Sequence, residues 1–133
     1  MKKSEAIRKY YDAIRESMID AYSHVIDSRG RVQYKVYVWE DGEIERLPGP
    51  QGDNSYLKPR DSETRELFYI TTVSEPCYDP RDQIADKLPD DEAECEKLFE
   101  ETDAWMKESY AENIDDVLDN LIDDAEQEEK YDA

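Results

Sequence analysis

Few residues in this chain carry the side chains that nucleophilic or metal chemistry requires. His24 is the only histidine, and Cys77 and Cys95 are the only cysteines. A nucleophilic cysteine needs a base within reach and surroundings that favour thiolate. Cys95 lies between Glu94 and Glu96, whose charges oppose thiolate formation. His24 has no histidine or cysteine cluster to join at zinc-ligand spacing and reads as a surface or boundary residue of a helix. Carboxylates are abundant. The pairs Asp115-Asp116 and Asp123-Asp124 offer a divalent cation at most weak attraction, and Asp41-Gly42 and Asp53-Asn54-Ser55 lack the ligand spacing and closing glutamate of an EF-hand loop. Gly30, Gly42, Gly49 and Gly52 form no phosphate-cradling loop. The chain is therefore expected to be no enzyme, with no catalytic residue, metal site or cofactor. A carboxylate-based metal enzyme ranks last among the readings.

Charge is the more informative chemistry. The 133 residues hold 36 acids and 17 bases, a net charge of −19. Such a surface repels phosphate backbones and anionic membranes and favours basic partners. The charge is uneven. Residues 90–133 contain 19 acids against Lys97, Lys107 and Lys130, a net of −16; residues 1–89 contain 17 acids and 14 bases, a net of −3. On a helix, Glu112, Asp116, Asp119, Asp123 and Glu126 fall at alternating four- and three-residue steps and form one acidic ridge, flanked by Asp115 and Asp124. Like charges at these spacings destabilise a helix by a few tenths of a kcal/mol per pair, roughly. A helix over the whole region would carry one net charge per about 4 Å of axis, at ~1.5 Å rise per residue, against one per about 1.7 Å for duplex DNA.

In charge pattern the chain is similar to the acidic nucleic-acid mimics that phages and mobile elements use against host nucleases and CRISPR or restriction systems. The likeness is one of composition. It implies a decoy that occupies a cleft built for phosphates, with fast, salt-sensitive association. The competing reading is a non-inhibitory interaction or accessory module whose acidity serves solubility. Its contacts would be aromatic: Tyr37 and Trp39 on a strand face, and Tyr56 in a long loop, with Tyr78 behind it. Tyr37 and Trp39 are core if helices cover both sheet faces and anchors if one face is open.

These residues need elements to position them. Ile7, Tyr10, Tyr11, Ile14, Met18, Tyr22, Val25 and Ile26 recur at helical spacing, so the pattern predicts a helix over Ser4–Ile26. Ser4 is its expected N-cap, and Gly30 the expected left-handed stop. Val32, Tyr34, Val36 and Val38 alternate with Gln33, Lys35, Tyr37 and Trp39 in a strand over Arg31–Trp39. Asp41-Gly42 signals a hairpin into a strand over Glu43–Leu47. Leu47–Glu63 reads as a loop with three prolines, whose Lys58 and Arg60, with Arg65 beyond it, would pair with the protein's own acids. A third strand over Arg65–Val73 completes a three-stranded antiparallel meander. Pro80 opens a short helix over Arg81–Lys87. Asp90 or Asp91 caps an acidic helical region whose apolar stripes are Leu98, Phe99, Trp105, Met106 and Tyr110, then Ile114, Val117, Leu118, Leu121, Ile122 and Ala125. Ala111-Glu112-Asn113 bends or splits it, and the chain frays after Ala125.

The expectation is one α+β domain over residues 1–133, with an acidic helical third at 90–133. Met1-Lys2-Lys3 leads into an amphipathic pattern instead of a signal peptide, and no window is apolar for the length of a membrane span. A reducing cytoplasm is the expected compartment. The expected partner is a basic nucleic-acid-binding protein, with neither nucleic acid nor a membrane bound directly.

Overall fold

Helices α1 (Lys3–Lys9) and α2 (Tyr11–Asp27) fill the segment expected as one helix. The computed structural model describes residues 1–29, 31–50, 65–76, 80–85 and 90–132. The break falls at Tyr10, and a long-range contact holds that residue in place. Its hydroxyl donates to the Glu40 carbonyl at 2.7 Å, and its ring lies beneath Gly42. Lys2, not Ser4, is the N-cap. Ser4 lies in the first turn and is only 3% exposed. Arg29 takes the left-handed conformation expected of Gly30, with φ 57°; Gly30 lies outside the described residues.

Strands β1 (Val32–Trp39), β2 (Ile44–Pro50) and β3 (Leu67–Val73) form an antiparallel sheet. The β1–β2 turn is as expected: Gly42 has φ 97°, its N–H donates to Trp39 O at 2.8 Å, and Trp39 N–H donates to Glu43 O at 2.8 Å. The strand order is β2-β1-β3, so β1 is central and the connectivity is not a meander. β2 also runs three residues past the expected Leu47, with Pro48 opposite Tyr34 and Pro50 opposite Val32. Prolines are tolerated there because β2 is an edge strand and need not donate on its outer side. The expected contacts of Tyr56, Lys58, Arg60, Cys77 and Tyr78 lie outside the described residues.

β3 departs from strict alternation. Between Val36 and Tyr37 the register slips, with Val36 facing Thr71 and Tyr37 facing Tyr69. Ile70 is the extra residue of this bulge, so Phe68, Ile70 and Val73 are the buried positions.

Helix α3 (Pro80–Ala85) begins with its proline at the first position. Helix α4 runs unbroken over Glu92–Asp132, 41 residues, a length of about 62 Å at ~1.5 Å per residue. Asp91 caps it: its Oδ1 accepts the Ala93 N–H at 3.1 Å. The helix is not split at Ala111-Glu112-Asn113 and continues past Ala125, where its last turns meet α1. The Ser4 N–H donates to Glu129 Oε1 at 3.1 Å, and its hydroxyl lies 2.9 and 2.8 Å from the two carboxylate oxygens. Arg8 pairs with Glu126.

The layers follow from the apolar faces. α2 packs on β1 on one side and on α4 on the other, while α1 also touches α4 and β3. Ile14, Met18, Val25 and Ile26 of α2 join Val36, Val38 and Ile70 of the sheet and Ile114, Leu118 and Ile122 of α4 in one core. Tyr22 of α2 and Tyr110 of α4 stack with ring centroids 4.0 Å apart. At the other end Arg81, 6% exposed, pairs with Glu75 and lies 3.5 Å from Asp103, which also takes Arg29 at 3.2 Å. This charged knot ties α3, the end of β3 and the α2 terminus to α4.

Candidate functional site: the exposed face of helix α4

α4 is the outer layer, and its geometry separates its acids into two sets. Ile114, Leu118, Ile122 and Ala125 mark the inward seam, all buried. At about 100° per residue, Glu101, Glu108, Glu112, Asp116, Asp119 and Asp123 fall within one arc of about 80°, centred roughly 120° around the helix from that seam. All six are exposed. Among the described residues no ion pair or hydrogen bond reaches their side chains. The arc extends about 33 Å along the axis.

The second set faces the other helices. Asp115 accepts the Tyr11 hydroxyl at 2.9 Å and Arg15 Nε at 3.1 Å. Burial first, and the Asp115 hydrogen bond second, push the Tyr11 phenol up to about 12. Glu126 takes Arg8 and Asp103 takes Arg29 and Arg81. Glu129, held by the Ser4 N–H above all, has its carboxyl below the usual range. The expected ridge is therefore corrected at two places. Asp115 and Glu126 act as internal ties, and the free arc gains Glu101 and Glu108. Asp124 is exposed but lies on the far side of the helix from this arc.

The aromatic candidates divide as well. Trp39 is fully buried. The Arg65 guanidinium lies 4.2 Å from its ring and is itself held by Asp41 at 2.9 Å and Glu43 at 2.5 Å. Glu43 and then Asp41 raise the Arg65 pKa further. Asp41 is lowered by the Glu43 N–H first and by Arg65 second. Trp39 is thus core, not an anchor. Tyr37 is half-buried, with its phenol raised by burial, and meets exposed Tyr69 edge-on at 5.5 Å. Tyr56 lies outside the described residues.

The exposed tryptophan is Trp105, 58% accessible, where the apolar stripe had placed it in the core. Its helical angle puts it inside the acidic arc, four residues after Glu101 and three before Glu108. That spacing was the signal available in the sequence. His24 is exposed, 3.4 Å from Asp20. Cys95 is half-buried and forms no disulfide among the described residues. Among the described residues, no group of three or more His, Cys, Asp or Glu is placed to hold a metal ion, and no helix is long and apolar enough to cross a membrane.

No family model, curated protein or solved structure matches the chain.

Proposed function

We propose that the protein binds a basic, nucleic-acid-handling protein through the exposed acidic arc of α4 and competes there with nucleic acid, in the manner of an anti-CRISPR or anti-restriction decoy of a phage or mobile element acting in the cytoplasm. The observation that supports this reading is the arc itself. It sets six carboxylates along about 33 Å of a continuous helix, each exposed and each without a partner among the described residues. α4 carries 17 acids against three lysines, a net of −14, or one charge per about 4.4 Å of axis. Duplex DNA carries one per about 1.7 Å. A groove lined by Lys and Arg to hold phosphates would be electrostatically complementary to such a rod, with rapid, salt-sensitive encounter. The reading needs no reaction chemistry. The alternative, an accessory module docking through an aromatic strand face, has lost its strongest anchor, since Trp39 is buried.

The test immobilises the wild-type protein and the variant E112Q/D116N/D119N/D123N, passes host lysate over both, and elutes with rising salt, with and without duplex DNA. The expected result is a nucleic-acid-handling protein retained by the wild type, released by salt or DNA, and not retained by the variant. A partner held equally by both, indifferent to salt and DNA, overturns the proposal.

A further inference from the structure

Trp105 lines two shallow pockets. One, of about 290 Å³, is lined also by Tyr22, Pro76, Pro80, Met106 and Tyr110. The other, of about 280 Å³, is lined also by Pro80, Ile84, Leu98, Glu101 and Thr102. An exposed tryptophan at the edge of apolar hollows loses favourable burial in the free protein. Among the described residues, no lysine or arginine lines either hollow. The carboxylates beside it, Glu101, Glu108 and Glu112, lie one or two helical turns from Trp105 on the same arc.

We infer that Trp105 is the anchor of the acidic face and takes an arginine side chain of an extended basic segment on the partner. This rests on the reading of the acidic arc as a contact surface and names what that surface recognises. Charge complementarity selects a cationic occupant. The indole face selects arginine over lysine, because the flat guanidinium stacks on an aromatic plane while its five N–H donors still reach carboxylates at the rim. The two hollows that Trp105 lines accept the aliphatic stems or neighbouring apolar side chains of the same segment. Trp and Arg are the residue types that dominate interface energetics.

The probes are hexa-arginine and hexa-lysine, equal in charge and length. Binding is followed by the tryptophan emission of the whole protein, in which buried Trp39 serves as the unperturbed reference. The wild type is expected to bind hexa-arginine roughly three- to tenfold more tightly than hexa-lysine, with the solvent-exposed part of the emission changed by arginine. W105A is expected to bind both peptides equally, and W105F to fall between. An arginine preference absent in the wild type, or one that survives in W105A with Trp39 emission unaltered, overturns the anchor assignment. The arc variant separates the two levels: E112Q/D116N/D119N/D123N is expected to lose affinity for both peptides together. If it binds both as the wild type does, the acidic-arc reading itself fails, whatever Trp105 does.

Discussion

Neutralising the acidic arc is expected to stabilise the fold while abolishing binding, and the first half can be tested without knowing the partner. The arc places Glu108 and Glu112, Glu112 and Asp116, Asp116 and Asp119, and Asp119 and Asp123 at helical three- or four-residue spacing. Each like-charge pair destabilises a helix by about 0.2–0.5 kcal/mol at low salt. Replacing Glu112, Asp116, Asp119 and Asp123 by their amides removes all four pairs and changes helix propensity little. The expected gain is about 1–2 kcal/mol, a sizeable part of the ~5–15 kcal/mol that holds a typical domain folded. With a urea slope of ~1–3 kcal/mol per molar, the midpoint of unfolding followed by circular dichroism should rise by roughly half to one molar. In about 1 M salt, where the screening length is ~3 Å, the gain should largely vanish. A variant no more stable than wild type at low salt would refute the reasoning. It would mean that these carboxylates have favourable partners in the folded protein and are not a free surface.

Other expectations concern the fold that carries the arc. Gly42→Ala should destabilise by about 1–3 kcal/mol in the same urea assay, since Gly42 has φ 97° and an added Cβ would lie 2.6 Å from the Tyr10 ring. Tyr11 ionises in the folded state at about 12 instead of 10, so its contribution is complete below pH 10 and is lost as pH rises through 12. The Tyr11→Phe variant should lose one late phenolate from the absorbance titration. Glu129 is shifted the other way, so its contribution is present above the ordinary carboxylate value and is lost as pH falls through its lowered one. Glu129→Gln should therefore melt below wild type at neutral pH, and the two melting curves should converge in acid.

The regular parts of this fold were legible in the sequence because short-range periodicity encodes them. The α+β class, the three antiparallel strands, the Asp41-Gly42 turn and the capped acidic helix were all readable from spacing and turn chemistry. Three departures involve partners distant in sequence. Tyr10 breaks the first helix in contact with Glu40 and Gly42, some 30 residues away. Ile70 bulges where β3 meets β1. The end of α4 stays helical because Ser4 and Arg8 hold Glu129 and Glu126. No local pattern announces such contacts. The strand order was hidden for the same reason, since alternation fixes the face of a strand and not its neighbour.

The two tryptophans show why the site was harder to read than the fold. Trp39 read as either core or an anchor on a strand face and is buried beneath Arg65; Trp105 read as a seam residue and is exposed. In each case charged neighbours help to set the outcome. Arg65 is held over Trp39 by Asp41 and Glu43, whereas Trp105 shares the arc of Glu101 and Glu108. The same logic bears on what the acidity is for. Solubility requires net charge, and that can be scattered at no cost to any one helix. Here the arginines that meet α4, namely Arg8, Arg15, Arg29 and Arg81, pair with Glu126, Asp115 and Asp103 on its inner flanks. Among the described residues the outer arc is left uncompensated, at a spacing that destabilises its own helix. An arrangement that accepts this cost on one face, with an exposed indole set among the carboxylates, fits a contact surface better than a solvated one.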